Sequence, residues 1–133
     1  MRAVAVRAFD NKIFVLGGID GDGGPTDSVH VCDLQTEQWS SGPEIPSDGG
    51  MKAFGCSAVS VGGQLLVNTY DGGVYRLKDD QSGWEKLHQL VQGRFFHQMV
   101  PVDKSRFAII GGANMSEGSQ TEVVVMEIVE LDE

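Results

Sequence analysis

Two heptapeptides decide how this sequence folds: Lys12-Ile13-Phe14-Val15-Leu16-Gly17-Gly18 and Arg106-Phe107-Ala108-Ile109-Ile110-Gly111-Gly112. Each is a basic residue, a run of apolar residues and a glycine pair. Between them stands Gln64-Leu65-Leu66-Val67-Asn68-Thr69-Tyr70, with a similar run but Thr69-Tyr70 where the glycines would be. The runs are apolar on successive residues rather than alternate ones. That pattern predicts a strand with both sheet faces covered.

Working outward, each run is followed by a second one: Val29-His30-Val31-Cys32-Asp33, Val74-Tyr75-Arg76-Leu77-Lys78 and Val123-Val124-Val125-Met126-Glu127. Trp39 lies 10 residues after Val29, and Trp84 lies 10 after Val74. The copies are offset by 45 residues, then by 49. A fixed period of this size marks a repeat architecture. Each unit reads as four strands. Strand a is Ala3–Ala8, Cys56–Val61 and His97–Val102; strand b is Ile13–Leu16, Leu65–Asn68 and Phe107–Ile110. Strand c is Val29–Asp33, Val74–Lys78 and Val123–Ile128, and strand d begins at Trp39 and Trp84. The a–b turns Asp10-Asn11, Gly62-Gly63 and Asp103-Lys104-Ser105 carry hairpin chemistry, because Asn, Asp and Gly tolerate positive φ.

The glycine pair after an apolar strand, the Val-x-Val-x-Asp strand and the Trp six residues later resemble the kelch repeat. Arg94-Phe95-Phe96-His97 before the third strand a resembles the family's usual lead-in. The resemblance implies an all-β propeller segment, with blades of four antiparallel strands around a central axis. The blades span about 1–46, 52–91 and 94–133 of one domain, with Gly17, Gly18, Gly111, Gly112, Trp39 and Trp84 in structural roles. Each Trp is expected between blades with its N–H bonded to a carbonyl. Six residues on from Glu127 the chain reaches Glu133 without a Trp, so the third blade lacks strand d. Eleven strands in three blades make an incomplete ring, since a closed one has about four to eight blades. Two copies closing a six-bladed ring, a longer propeller of which this is part, and a wedge that stands alone are all open.

The chain has 133 residues, 41% of them hydrophobic, and 18 glycines against 4 prolines. This fits a folded all-β protein with many turns. Its net charge of −9 argues against a nucleic-acid partner, which needs clustered Lys and Arg. A basic peptide or protein is the better electrostatic match. The apolar runs are far shorter than the roughly 20 residues of a membrane helix, and Met1–Arg7 lacks a signal-peptide core. Cys32 and Cys56 lie inside strands without metal-type spacing and read as reduced thiols, which suits a cytoplasmic setting.

In an up-and-down sheet the d–a and b–c loops share one rim of the propeller. The resemblance implies that this rim carries the partner, as in adaptor and scaffold kelch proteins. The b–c loops also vary most: Ile19–Ser28, Asp71–Gly73 and Ala113–Thr121. The candidate ligand-binding residues are Asp20, Asp22, Met51, Lys52, Tyr70, Asp71, Arg94, Phe95, Asn114 and Met115.

No catalytic residue, metal ligand or cofactor is assigned. Asp20-Gly21-Asp22-Gly23-Gly24 starts like a calcium loop but has Gly24 where a third ligand belongs. The glycine-rich stretches lack the Lys-Ser/Thr of a P-loop. His97 has no local partner to make it a base, and a Cys56–His97 pair requires contact across neighbouring inner strands. Some kelch proteins are enzymes, including copper-dependent galactose oxidases and a sialic acid epimerase. Tyr70, Tyr75, Cys56 and His97 supply residue types for the first without matching its motif. The alternative function is therefore a small-molecule or carbohydrate-active propeller enzyme.

Overall fold

The computed structural model describes residues 4–90, 92–116, 119–122 and 126–131, the side chains of 115–122 excepted. Strands β1 (Ala5–Phe9), β2 (Lys12–Leu16), β3 (Val29–Asp33) and β4 (Trp39–Ser41) form one antiparallel sheet in chain order. A second repeats it with β5 (Ser57–Val61), β6 (Gln64–Asn68), β7 (Gly73–Leu77) and β8 (Trp84–Gln89). The third contains β9 (Gln98–Pro101), β10 (Arg106–Ile110) and β13 (Glu127–Glu130). The eleven blade strands are therefore present. Between β10 and β13 the chain adds a hairpin, β11 (Ala113–Ser116) with β12 (Ser119–Glu122). Among the described residues no helix is long and apolar enough to cross a membrane.

The hairpin corrects one expectation. The third strand c runs over Glu127–Glu130, not Val123–Ile128, and residues 123–125 lie outside the described ones. Pairing sets this register: Val129 stands opposite Phe107 as Cys32 stands opposite Ile13. The apolar run from Val123 has strand composition, but composition alone cannot fix which residue faces which.

Local chemistry explains the turns. Asp10 and Asn11 have φ of 51° and 58°, Gly62 and Gly63 of 57° and 78°. Two successive positive values give a turn whose twist matches the strands it joins. Gly17 also has positive φ, at 65°, and a Cβ there would run into Ala53. The pair Gly17-Gly18 thus lets the b–c loop of blade 1 touch the d–a loop, where the Gly18 N–H donates to the Ala53 carbonyl at 3.0 Å. Blade 2 does without the pair by turning at once: the Gly72 N–H donates to the Thr69 carbonyl at 3.0 Å.

Successive apolar residues serve opposite faces, as the sequence predicts. Leu65 and Val67 of β6 join a core with Phe14, Leu16 and Val31 of blade 1. Leu66 joins a second core with Phe107, Ile109 and Val129 of blade 3. Trp84 is buried in the first core, and its Nε1–H donates to the Pro43 carbonyl at 2.9 Å. Trp39 does not follow suit. It is 60% exposed, because among the described residues no blade covers the outer face of blade 1. The outer face of blade 3 is equally bare: Val100 and Ile128, both paired with Ala108, are exposed, as is Ile110. The sheets stack as an open wedge with two apolar ends.

Candidate functional site

Loops that enter strands a and leave strands b gather on one rim, and backbone contacts lock them together. The Asp48 N–H donates to Asp71 Oδ2 at 2.8 Å, joining the first d–a loop to the second b–c turn. Phe95 and Ala113 exchange two backbone bonds of 2.9 Å, joining the second d–a loop to β11. Gly93 lies so close to the Tyr70 carbonyl that a Cβ would overlap it, and Asn114 Nδ2 donates to the Gly93 carbonyl at 2.6 Å.

An aromatic cluster sits at the centre of this rim. Phe95 packs on Tyr70 with centroids 5.4 Å apart, on Phe54 at 5.6 Å and on Phe96 at 5.0 Å. Phe54 and Phe96 meet at 5.4 Å in edge geometry. Phe95 is buried, Tyr70 and Phe54 are half-buried, and Phe96 is 53% exposed. Phe96 also adopts a φ of 58°, in the left-handed region that a bulky residue rarely visits. Its N–H is held by the Gly55 carbonyl at 2.8 Å. Strain of this kind persists only where surroundings fix it, and it turns the ring outward.

The sequence candidates divide by accessibility. Asp22 and Lys52 are exposed and Met51 is half-buried, around the same rim. Asp20 is exposed, but its Oδ1 accepts from the N–H groups of Asp22 and Gly24 at 3.0 and 3.3 Å and shapes its own loop. Asp71 is a loop anchor: it accepts from the Thr69 hydroxyl (2.5 Å), the Gly73 N–H (2.7 Å) and the Tyr75 hydroxyl (2.7 Å) as well as from Asp48. Burial raises its affinity for a proton, but these donors outweigh burial and hold its carboxyl below the usual range.

Arg94 and Phe95 are not on the surface. Arg94 is fully buried, donating to Glu127 Oε1 at 2.6 Å and to the Gly111 carbonyl at 3.3 Å. Its charge ties the d–a loop to β13, so its place is beneath the rim. The side chain of Met115 lies outside the described ones. Phe54 and Phe96 were missing from the sequence candidates. Strand alternation could not have found them, because Phe96 reaches the surface through a left-handed backbone and its ring packs against that of Phe95.

Two clefts lie away from this cluster. One, of about 300 Å³, is on the opposite rim between Phe9, Asp10, Gly63, Gln64, Lys78 and Gln81. The other, of about 270 Å³, lies along the inner strands and is lined by Val6, Arg7, Cys56, Ser57, His97 and Gln98. Cys56 and His97 therefore share a cleft. Burial pushes the Cys56 thiol up to about 12, and its Sγ–H donates to the Leu16 carbonyl. Burial and the nearby Arg94 charge hold His97 down to about 4. A thiol that resists ionisation beside an imidazole that stays neutral does not form a thiolate–imidazolium pair. Among the described residues no group of three or more His, Cys, Asp or Glu is placed to hold a metal ion.

Residues 2–46, the first blade, match the family model for the kelch motif. No curated protein matches the chain.

Proposed function

We propose that this chain, whose first blade matches the kelch motif, is a protein- or peptide-binding module of the adaptor or scaffold kind, working through the d–a and b–c rim. The observation that carries this reading is Phe96. It is a large aromatic, more than half exposed, held in a strained backbone and braced by Phe54 and Phe95. Exposed aromatics fixed at the centre of a rigid surface are the usual anchors of protein interfaces. Kelch repeats commonly mediate such interactions.

Charge sets the kind of partner. Asp20, Asp22, Glu44 and Asp48 are all exposed on the loops around the cluster, and Lys52 is the exposed base beside them. An apolar side chain flanked by Lys or Arg would meet both features, as electrostatic complementarity requires. Asp22, Met51, Lys52, Tyr70 and Phe96 form the contact set, with Asp71, Arg94, Phe95 and Asn114 holding it in place.

Selection from a displayed peptide library tests this. The expected result is enrichment of peptides with an aromatic or aliphatic anchor and basic flanks. Phe96→Ala should abolish their binding, while Lys104→Ala on the opposite rim should leave it intact. Peptides that bind both variants equally would show that this rim is not the site.

A further inference from the structure

The cleft along the inner strands ends on polar groups that the packing leaves unpaired. Its lining comes from β1, β5 and β9, the first strand of each blade, and from residues beside them. Val6, Arg7 and Gln98 stand at its mouth, exposed or half-buried, while Ser57 and His97 are 5% and 3% exposed at its base. Among the described residues neither ring nitrogen of His97 has a hydrogen-bond partner. Asn68 stands opposite Ser57 and is fully buried. Its Nδ2 donates to the Gly73 carbonyl at 2.8 Å, but its Oδ1 is unpaired. Ser57 and Asn68 share the sheet face of Val59 and Leu66, and His97 stands two residues before Met99. Val59, Leu66 and Met99 belong to the core between blades 2 and 3, so the three polar side chains form one layer at its end. A buried polar group without a partner is costly, and each one in a folded protein calls for an explanation.

The chemistry of the cleft selects its ligand. Burial and the Arg94 charge keep the imidazole neutral at pH 7, so it offers one N–H donor and one acceptor. A hydroxyl, which both donates and accepts, matches that pair and the Ser57 hydroxyl beside it. Arg7 is the only charged side chain among the described lining residues, in a chain with 19 acidic residues and 10 basic. Among the described residues its guanidinium donates only to the Val6 carbonyl, through Nη1 at 2.8 Å. The Nε and Nη2 side of the fork is left for a carboxylate. Val4, Ala5 and Ala58 supply apolar wall, and a volume of about 270 Å³ suits a short carbon skeleton. We propose that this cleft binds a small hydroxylated carboxylic acid, its carboxylate on Arg7 and its hydroxyl between Ser57 and His97. Water would satisfy the imidazole, but it brings no charge to Arg7.

The probes are racemic lactate, propionate, which lacks only the hydroxyl, and propane-1,2-diol, which lacks only the carboxylate. Each is titrated into the full chain at matched ionic strength, with the His97 ring signals followed by NMR. Lactate should shift those signals saturably and raise the melting temperature, since a ligand of the native state stabilises it. Propionate and the diol should each bind about tenfold or more weakly, the loss expected for one buried or charged hydrogen bond. Arg7→Gln should reduce lactate to the affinity of the diol. Ser57→Ala should bring lactate and propionate together; should that variant unfold, Arg7→Gln, at the mouth of the cleft, still decides. Phe96→Ala should leave lactate binding intact, so this site and the rim fail separately. No saturable shift at tens of millimolar lactate, equal binding of lactate and propionate, or unchanged lactate binding by Arg7→Gln would overturn the proposal. So would a melting temperature that follows ionic strength alone, which would assign the effect to salt.

Discussion

At the scale of single residues, buried charge and buried imidazole set the molecule's weak points. Arg94 gives up all contact with water for Glu127 and a carbonyl. Removing Arg94 strips the Gly111 carbonyl and the one-third-exposed Glu127 carboxylate of their partner and costs about 1–3 kcal/mol. Arg94→Ala should therefore lower stability by that order in urea denaturation, whereas exposed Lys52→Ala should change it by less than about 0.5 kcal/mol. His97 adds a pH dependence. Its folded-state value near 4 lies below the ordinary 6.5, so the unfolded chain binds the extra proton between these limits. Stability is then full above pH 6.5 and falls as pH drops toward 4, by on the order of 3 kcal/mol. His97→Gln should flatten that slope, and denaturation curves at several pH values in the window check it. An unchanged slope would mean that other groups dominate.

At the scale of elements, the two tryptophans separate sequence position from environment. They stand at the same place in their repeats, yet Trp84 is 7% exposed and Trp39 60%. Truncating a buried tryptophan costs about 3–5 kcal/mol, so Trp84→Ala should unfold readily while Trp39→Ala stays within about 1 kcal/mol of the parent. Thermal melts of both variants decide it. The repeat told where each tryptophan sits in its strand, but not what covers the sheet, because burial depends on a neighbour the strand's own residues do not encode. Blade strands were legible for the same reason: the runs ending at Gly17 and Gly111 are local signals. The hairpin β11–β12 was not, since its polar residues Ser119, Gln120 and Thr121 suit a loop as well as a strand. Within the site, Tyr70 and Lys52 could be picked by type. The burial of Arg94 could not, because its partner Glu127 is brought to it only by the pairing of β13 with β10.

At the scale of the whole molecule, two uncovered sheet faces frame a rigid rim. Val6 and Trp39 are bare at one end, Val100, Ile110 and Ile128 at the other. Closure with a second copy, blade 3 of each against blade 1 of the other, would cover both and predicts a dimer by light scattering. A monomeric mass across micromolar concentrations would remove that closure without touching the rim. The opposite rim is ordered by its own polar contacts, with Lys12 Nζ donating to Gln81 and Gln81 in turn to Asp10. Its exposed residues therefore serve as an internal control for the binding face.

Site-specific photo-crosslinking compares the two rims most directly: a photoreactive side chain replaces Phe96 in one protein and Lys104 in another, and both are irradiated in cells. Binding through the aromatic rim predicts discrete protein adducts from position 96 and none from position 104. Adducts arising equally from both, or only from position 104, would contradict it.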